Sequence, residues 1–131
     1  MARPDRFIKI AYDAAAGASP GCSFHVGAAV AKGNKLLASG ACTTKTHPQN
    51  PKLKSNTNRN QLCAEFITIL RALHFTESLH RCSIYIARRR RDTGEIAIAR
   101  PCSFCQEFMS KAGIKDVYYT NRDGQIERME I

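Results

Sequence analysis

Apolar residues recur at Phe7, Ile10, Ala11 and Ala14, the i, i+3, i+4, i+7 spacing of one helix face, and predict a first helix over residues 5–16. Gly17, Pro20 and Gly21 break that pattern. Phe24 to Ala31 reads as a strand, Gly33-Asn34 as a turn, and Lys35 to Cys42 as the returning strand of a hairpin. Residues 43–61 show no apolar periodicity and hold Pro48, Pro51 and four asparagines, so they predict a long polar loop. A loop of that length inside a compact domain is usually functional. A second helix begins near Leu62, with Phe66, Ile69, Leu70 and Leu73 as its apolar stripe. Cys82 to Arg88 forms a strand with Ile84 and Ile86 on one face, followed by a turn at Asp92-Thr93-Gly94. A third helix opens at Cys102, turns Cys105, Phe108, Met109 and Ala112 inward, and stops at Gly113. Val117 to Thr120 and Gln125 to Met129 are the last two strands.

The order α-β-β-α-β-α-β-β predicts a three-layer α/β/α sandwich around a five-stranded mixed sheet. Only Asn121–Gly124 separates the last two strands, so they must be antiparallel. A parallel pair needs a crossover of about a dozen residues or more. In such sheets ligands sit beyond strand ends, where helix N-termini gather.

With 131 residues, 44% of them hydrophobic, residues 1–131 fit one domain that buries a core without disulfide staples. No apolar run approaches a membrane span, and the polar N-terminus does not resemble a signal peptide, so a cytoplasmic protein with no membrane partner is expected. The six cysteines then read as reduced thiols, with metal binding at Pro-Cys-x-x-Cys and Cys22, Cys42 and Cys82 as small buried apolar residues. A net charge of +9 points to an anionic partner, either nucleotide phosphates or nucleic acid.

The chemistry concentrates in Cys63-Ala64-Glu65 and Pro101-Cys102-Ser103-Phe104-Cys105, each at a helix start. A catalytic zinc takes three protein ligands and keeps a fourth position for water. Cys63, Cys102 and Cys105 are the candidate ligands, and Glu65 the candidate proton carrier. In mid-helix, side chains two residues apart point nearly opposite ways. At a helix start the first residue is not yet helical, so Cys63 and Glu65 can turn to one point. A structural zinc would instead need a fourth closed ligand, for which Cys42 and His47 are available. Glu65 has no purpose in such a site.

These two motifs resemble those of the cytidine deaminase superfamily, whose zinc enzymes carry a ligand-x-Glu followed by Pro-Cys-x-x-Cys. The resemblance extends over nearly the whole chain. It implies Zn2+ as cofactor and hydrolytic deamination of cytosine to uracil by a zinc-activated hydroxide. Ser23-Phe24-His25-Val26-Gly27-Ala28-Ala29 is similar to the first strand of small cytidine deaminases, which implies base contacts from Phe24; substrate contact is also expected at Ala64. A core position fits Phe24 equally well. Family members with three cysteines usually place an arginine after the glutamate to offset the thiolate charge. Here that residue is Phe66, and Arg59 and Arg100 are the candidate substitutes. Nucleoside deaminases hold the ribose with Asn-x-Glu, where this chain has Cys42 and Thr44. Thr44-Lys45-Thr46-His47-Pro48 and Gly113 to Tyr119 look like segments of phage-type deoxycytidylate deaminases, so Lys45 and His47 are candidate phosphate contacts. Arg88–Arg91 adds four cations, of which alternation allows two to face one way. The expected substrate is a nucleoside or nucleotide, deoxycytidine and deoxycytidylate among them. A deaminase of bases in single-stranded nucleic acid and a non-catalytic zinc-stabilised binding module are the alternatives. The short last hairpin resembles the small-molecule branch, and the resemblance implies a homodimer or homotetramer.

Overall fold

The computed structural model describes residues 3–18, 25–43, 63–90, 93, 95–99, 101 and 103–131. Along them run α1 (Arg3–Ala15), β1 (His25–Lys32), β2 (Lys35–Ala41), α2 (Ala64–Ala72), β3 (Ser83–Arg89), β4 (Ile96–Ala97), α3 (Ser103–Ala112), β5 (Asp116–Thr120) and β6 (Ile126–Glu130). The sheet order is β2-β1-β3-β5-β6, with β4 attached to β3. The β3–β5 pair is parallel, and the remaining pairs are antiparallel. This is the mixed five-stranded sheet expected from the sequence, with one addition. At two residues, β4 is too short to leave an alternation signal, yet it pairs with Arg88 and Arg89.

Both sheet faces are covered. Ala28, Val30, Ile84, Ile86 and Val117 pack with α2 and α3, while Ala29, Ala31, Tyr85 and Ala87 pack with α1. Successive residues of β1 and β3 therefore serve opposite layers, as strand alternation requires. The face of α1 is rotated from the expected stripe. Phe7 and Ala11 are buried as expected, but Ile8 and Ala15 join them, while Ile10 lies at the margin. Both stripes satisfy helical spacing, and the run Ala14-Ala15-Ala16 offers no size difference to fix the rotation. The strand beneath fixes it. A Cβ at Gly27 would lie 1.9 Å from the Ala11 carbonyl oxygen and 2.6 Å from the Ala15 nitrogen, so α1 rests directly on the β1 backbone. Gly27→Ala should therefore push α1 off the sheet and destabilise the protein by at least about 1–3 kcal/mol, the usual cost of overpacking. Urea unfolding measures this, and an unchanged midpoint would contradict the close approach.

Turn chemistry closes the other elements. Gly113, at φ 103°, ends α3, and the Ile114 N–H returns to the Met109 carbonyl at 3.0 Å. Asn121 Oδ1 accepts from the N–H groups of Asp123 and Gln125, each at 2.9 Å, and holds the β5–β6 turn. Cys42 and Cys82 are buried, as small apolar residues should be. Burial pushes the Cys82 thiol pKa up, against a smaller lowering by Lys32. Cys22 lies outside the described residues. Among the described residues no helix is long and apolar enough to cross a membrane.

Candidate active site

Both motif helices start at one end of the sheet. The C-terminus of α2 leads through residues 73–82 into the start of β3, so its N-terminus lies toward the far end of that strand. The end of α3 also returns to the start of β3, where the Leu79 N–H donates to the Ala112 carbonyl at 3.0 Å. At its other end, the segment before α3 is tied to the C-terminus of β5. Ala99 N–H donates to the Thr120 carbonyl at 2.8 Å, and Thr120 Oγ1 to the Ala97 carbonyl at 2.6 Å. Gln106 Nε2 then reaches back to the Pro101 carbonyl at 2.9 Å and fixes the first turn of α3. The β1–β2 hairpin opens at this same end, with Cys42 N–H donating to the Val26 carbonyl at 3.1 Å. Thr120, hidden as a generic strand residue in the sequence, is thus part of the frame; its neighbour β4 gave no signal to find it.

Cys63 is the N-cap of α2, with extended backbone at φ −66° and ψ 143°, and its side chain makes no capping hydrogen bond. This is the non-helical geometry that lets Cys63 and Glu65 turn to a common point. Cys63, Ala64 and Cys105 belong to one buried cluster, with Cys63 8% and Cys105 2% exposed. Glu65, 6% exposed, is the one buried charged side chain among the described residues. The other two buried polar side chains are threonines that donate to backbone carbonyls: Thr68 to Ala64 at 2.7 Å, and Thr120 to Ala97. Phe66 is wholly buried, and its ring lies 4.8 Å from that of Phe108. Residue 66, where the resemblance would place a charge-offsetting arginine, is therefore an apolar contact between α2 and α3. Phe66 follows Cys63 by three residues and Phe108 follows Cys105 by three, a symmetry visible in the sequence only once the helices are paired.

Cys102, Phe24, Lys45, His47, Arg59 and Arg100 lie outside the described residues. Among the described residues no group of three metal-binding side chains gathers. The donor set nonetheless fits zinc. Two buried thiols stand at or near helix N-termini, whose partial positive charge favours thiolates, beside a buried carboxylate.

The arginines of β3 divide between the layers. Arg88 continues the face of Ile84 and Ile86, toward α2 and α3. Arg89 belongs to the other face, where its guanidinium lies 5.2 Å from the ring centroid of Tyr12 in α1. Arg88 is half-buried, and Arg90 is exposed. Burial first, and Arg90 second, pull the Arg88 pKa below the ordinary guanidinium value. A groove of about 540 Å³ between α1 and the β5–β6 turn, lined by Tyr12, Ile126 and neighbours, lies on the layer away from the motif cysteines.

A mixed sheet between helices, with a buried carboxylate and thiols at two helix starts, makes a small α/β protein whose donor set suits a metal. Residues 1–121 match the family described as the cytidine and deoxycytidylate deaminase zinc-binding region, and the chain belongs to that family. Among solved structures it is similar to cytidine deaminase from Burkholderia pseudomallei, at 20% identity and TM-score 0.73, over 99% of this chain and 93% of that one. It is similar also to dCMP deaminase from the cyanophage S-TIM5, at 23% identity and TM-score 0.65, over 91% and 82% of the two chains. A structure from studies of A-to-I editing by tRNA:A34 deaminases matches at 21% identity and TM-score 0.61, over 93% and 79%. No curated protein matches the chain.

Proposed function

We propose that residues 1–121, which match the family, form the core of a zinc-dependent hydrolase spanning the 131 residues as one domain. It deaminates cytosine to uracil in a nucleoside or nucleotide, deoxycytidylate above all. One observation carries the reading: Glu65 is a buried carboxylate on the first turn of a helix whose cap is Cys63, in the layer that also buries Cys105. Cys63, Cys102 and Cys105 would hold the metal. Zinc, when bound, supplies a Lewis acid that makes water a nucleophile near neutral pH. Glu65 takes the proton of that water and passes it to the ring nitrogen beside the attacked carbon. The water oxygen bonds to that carbon, Glu65 then takes the remaining proton of the added hydroxyl and delivers it to the amino group, and the C–N bond breaks to release ammonia. One carboxylate serves as base and then as acid, so its position matters more than its resting pKa. Burial excludes bulk water, which would otherwise compete as proton donor.

The antiparallel β5–β6 hairpin supports a small-molecule substrate, because it resembles the corresponding part of small cytidine deaminases. The charge of +9 supports an anionic one. Metal analysis with an ammonia-release screen over nucleosides, nucleotides and oligonucleotides tests the proposal. Deoxycytidylate should be deaminated with higher kcat/KM than deoxycytidine, and the preference should shrink as salt rises, because screening weakens exposed pairs. Lys45→Ala should erode the preference and leave the zinc content unchanged. Faster turnover of an oligonucleotide, with a steep salt slope from several phosphate contacts, would favour the nucleic-acid reading. Equal efficiency on nucleoside and nucleotide at every salt concentration would overturn both the nucleotide preference and the nucleic-acid reading.

A further inference from the structure

The four-arginine run is not one patch. The β1–β3 register runs unbroken from Ala31↔Ser83 to His25↔Arg89, so alternation holds to the end of β3. Arg88 therefore stands on the layer of Cys63, Glu65 and Cys105, at the strand end toward which α2 and α3 open. Arg89 is committed to Tyr12 on the opposite layer. A half-buried guanidinium is costly to desolvate, and a second cation close by adds to the cost. An anion on that side is attracted by both cations, and the planar guanidinium can bind two phosphate oxygens at once. Ligands of open α/β sheets bind beyond the carboxyl ends of the strands, which is where Arg88 lies.

We infer that Arg88, supported by Arg90, is a residue that reads a substrate phosphate monoester, while Arg89 takes no part. The inference rests on the proposed nucleotide site and names a β3 residue that contributes to its preference for nucleotide over nucleoside. It makes a prediction that a general basic patch does not: the effect must alternate along the strand. Titration calorimetry of the zinc-loaded full chain with deoxyuridine monophosphate and with deoxyuridine measures it without turnover. The native protein should bind the nucleotide at least about tenfold tighter than the nucleoside, as expected for a charge-assisted bidentate pair. Arg88→Gln should lower that ratio at least about tenfold, and Arg90→Gln by roughly two- to threefold, as for an exposed, screened charge. Arg89→Gln should leave the ratio as it is. Arg88→Lys keeps the charge without the fork and should give an intermediate ratio, and it provides the test if Arg88→Gln does not fold. Equal losses for all three glutamine variants, or no nucleotide preference in the native protein, would overturn the inference. Ammonia release from cytosine compounds reports separately on the deaminase reading, which can fail or hold independently of the binding ratio.

Discussion

Glu65→Gln is expected to keep its zinc and its fold while turnover falls at least about 10²–10⁴-fold, the usual effect of removing a positioned acid–base group. Glutamine reproduces the volume of the buried side chain and can accept a hydrogen bond, but it cannot carry a proton in one step and return it in the next. Glu65 is 6% exposed, so solvent cannot substitute for it at that position. Removing a buried negative charge from the neighbourhood of buried thiols should not weaken their hold on a cation by exposing them to water, because the packing of Phe66 and Ile69 is untouched. The measurements are single-turnover kinetics and metal content of the purified variant. Near-normal turnover would remove Glu65 from the mechanism. Loss of zinc with the activity would make it a ligand.

Cys63→Ala should abolish stoichiometric zinc binding and lower the melting temperature to that of the chelator-treated native protein. The position suits the test. Cys63 makes no side-chain capping bond, so alanine removes no cap from α2, and the thiol is small enough that truncation leaves little empty volume. Metal binding free energy is also folding free energy, so a lost ligand is read directly in the melt. Chelator should then shift the native protein and not the variant. If Cys63→Ala keeps one zinc per chain, or if chelation leaves the native melt unchanged, Cys63 is not a ligand.

Much of the fold was legible in the residues because two periodicities were clear. Ile84 and Ile86 alternate cleanly, and they face the cluster that holds Cys105. Phe66 and Ile69 lie inward at helical spacing. Gly113 ended α3 as its left-handed backbone requires. The four residues between β5 and β6 dictated an antiparallel pair. What was not legible depended on contacts distant in sequence. The rotation of α1 follows from the missing Cβ of Gly27, which no helical pattern in residues 5–16 contains. The two-residue β4 exists because β3 extends beyond its pairing with β5, whose register ends at Ile86. The division of Arg88 from Arg89 was foreseen only as a rule of two faces. Which face each takes was decided by Tyr12 and by the burial of Ile84 and Ile86.

The ring contact between Phe66 and Phe108 bears on how the proposed zinc would be acquired. A zinc finger must order its own peptide around the ion, and the ion's affinity is reduced by that ordering cost. Here an aromatic pair at 4.8 Å joins the two motif helices through apolar packing that needs no ion. Under the proposed ligand set, the packing that buries Cys63 and Cys105 stands without an ion, so a metal would meet helices already joined. An arginine at residue 66 would trade that standing contact for one that becomes favourable chiefly when thiolate charge is present. This chain has placed the same residue in the service of assembly, so under the proposed ligand set zinc would bind helices that are already packed.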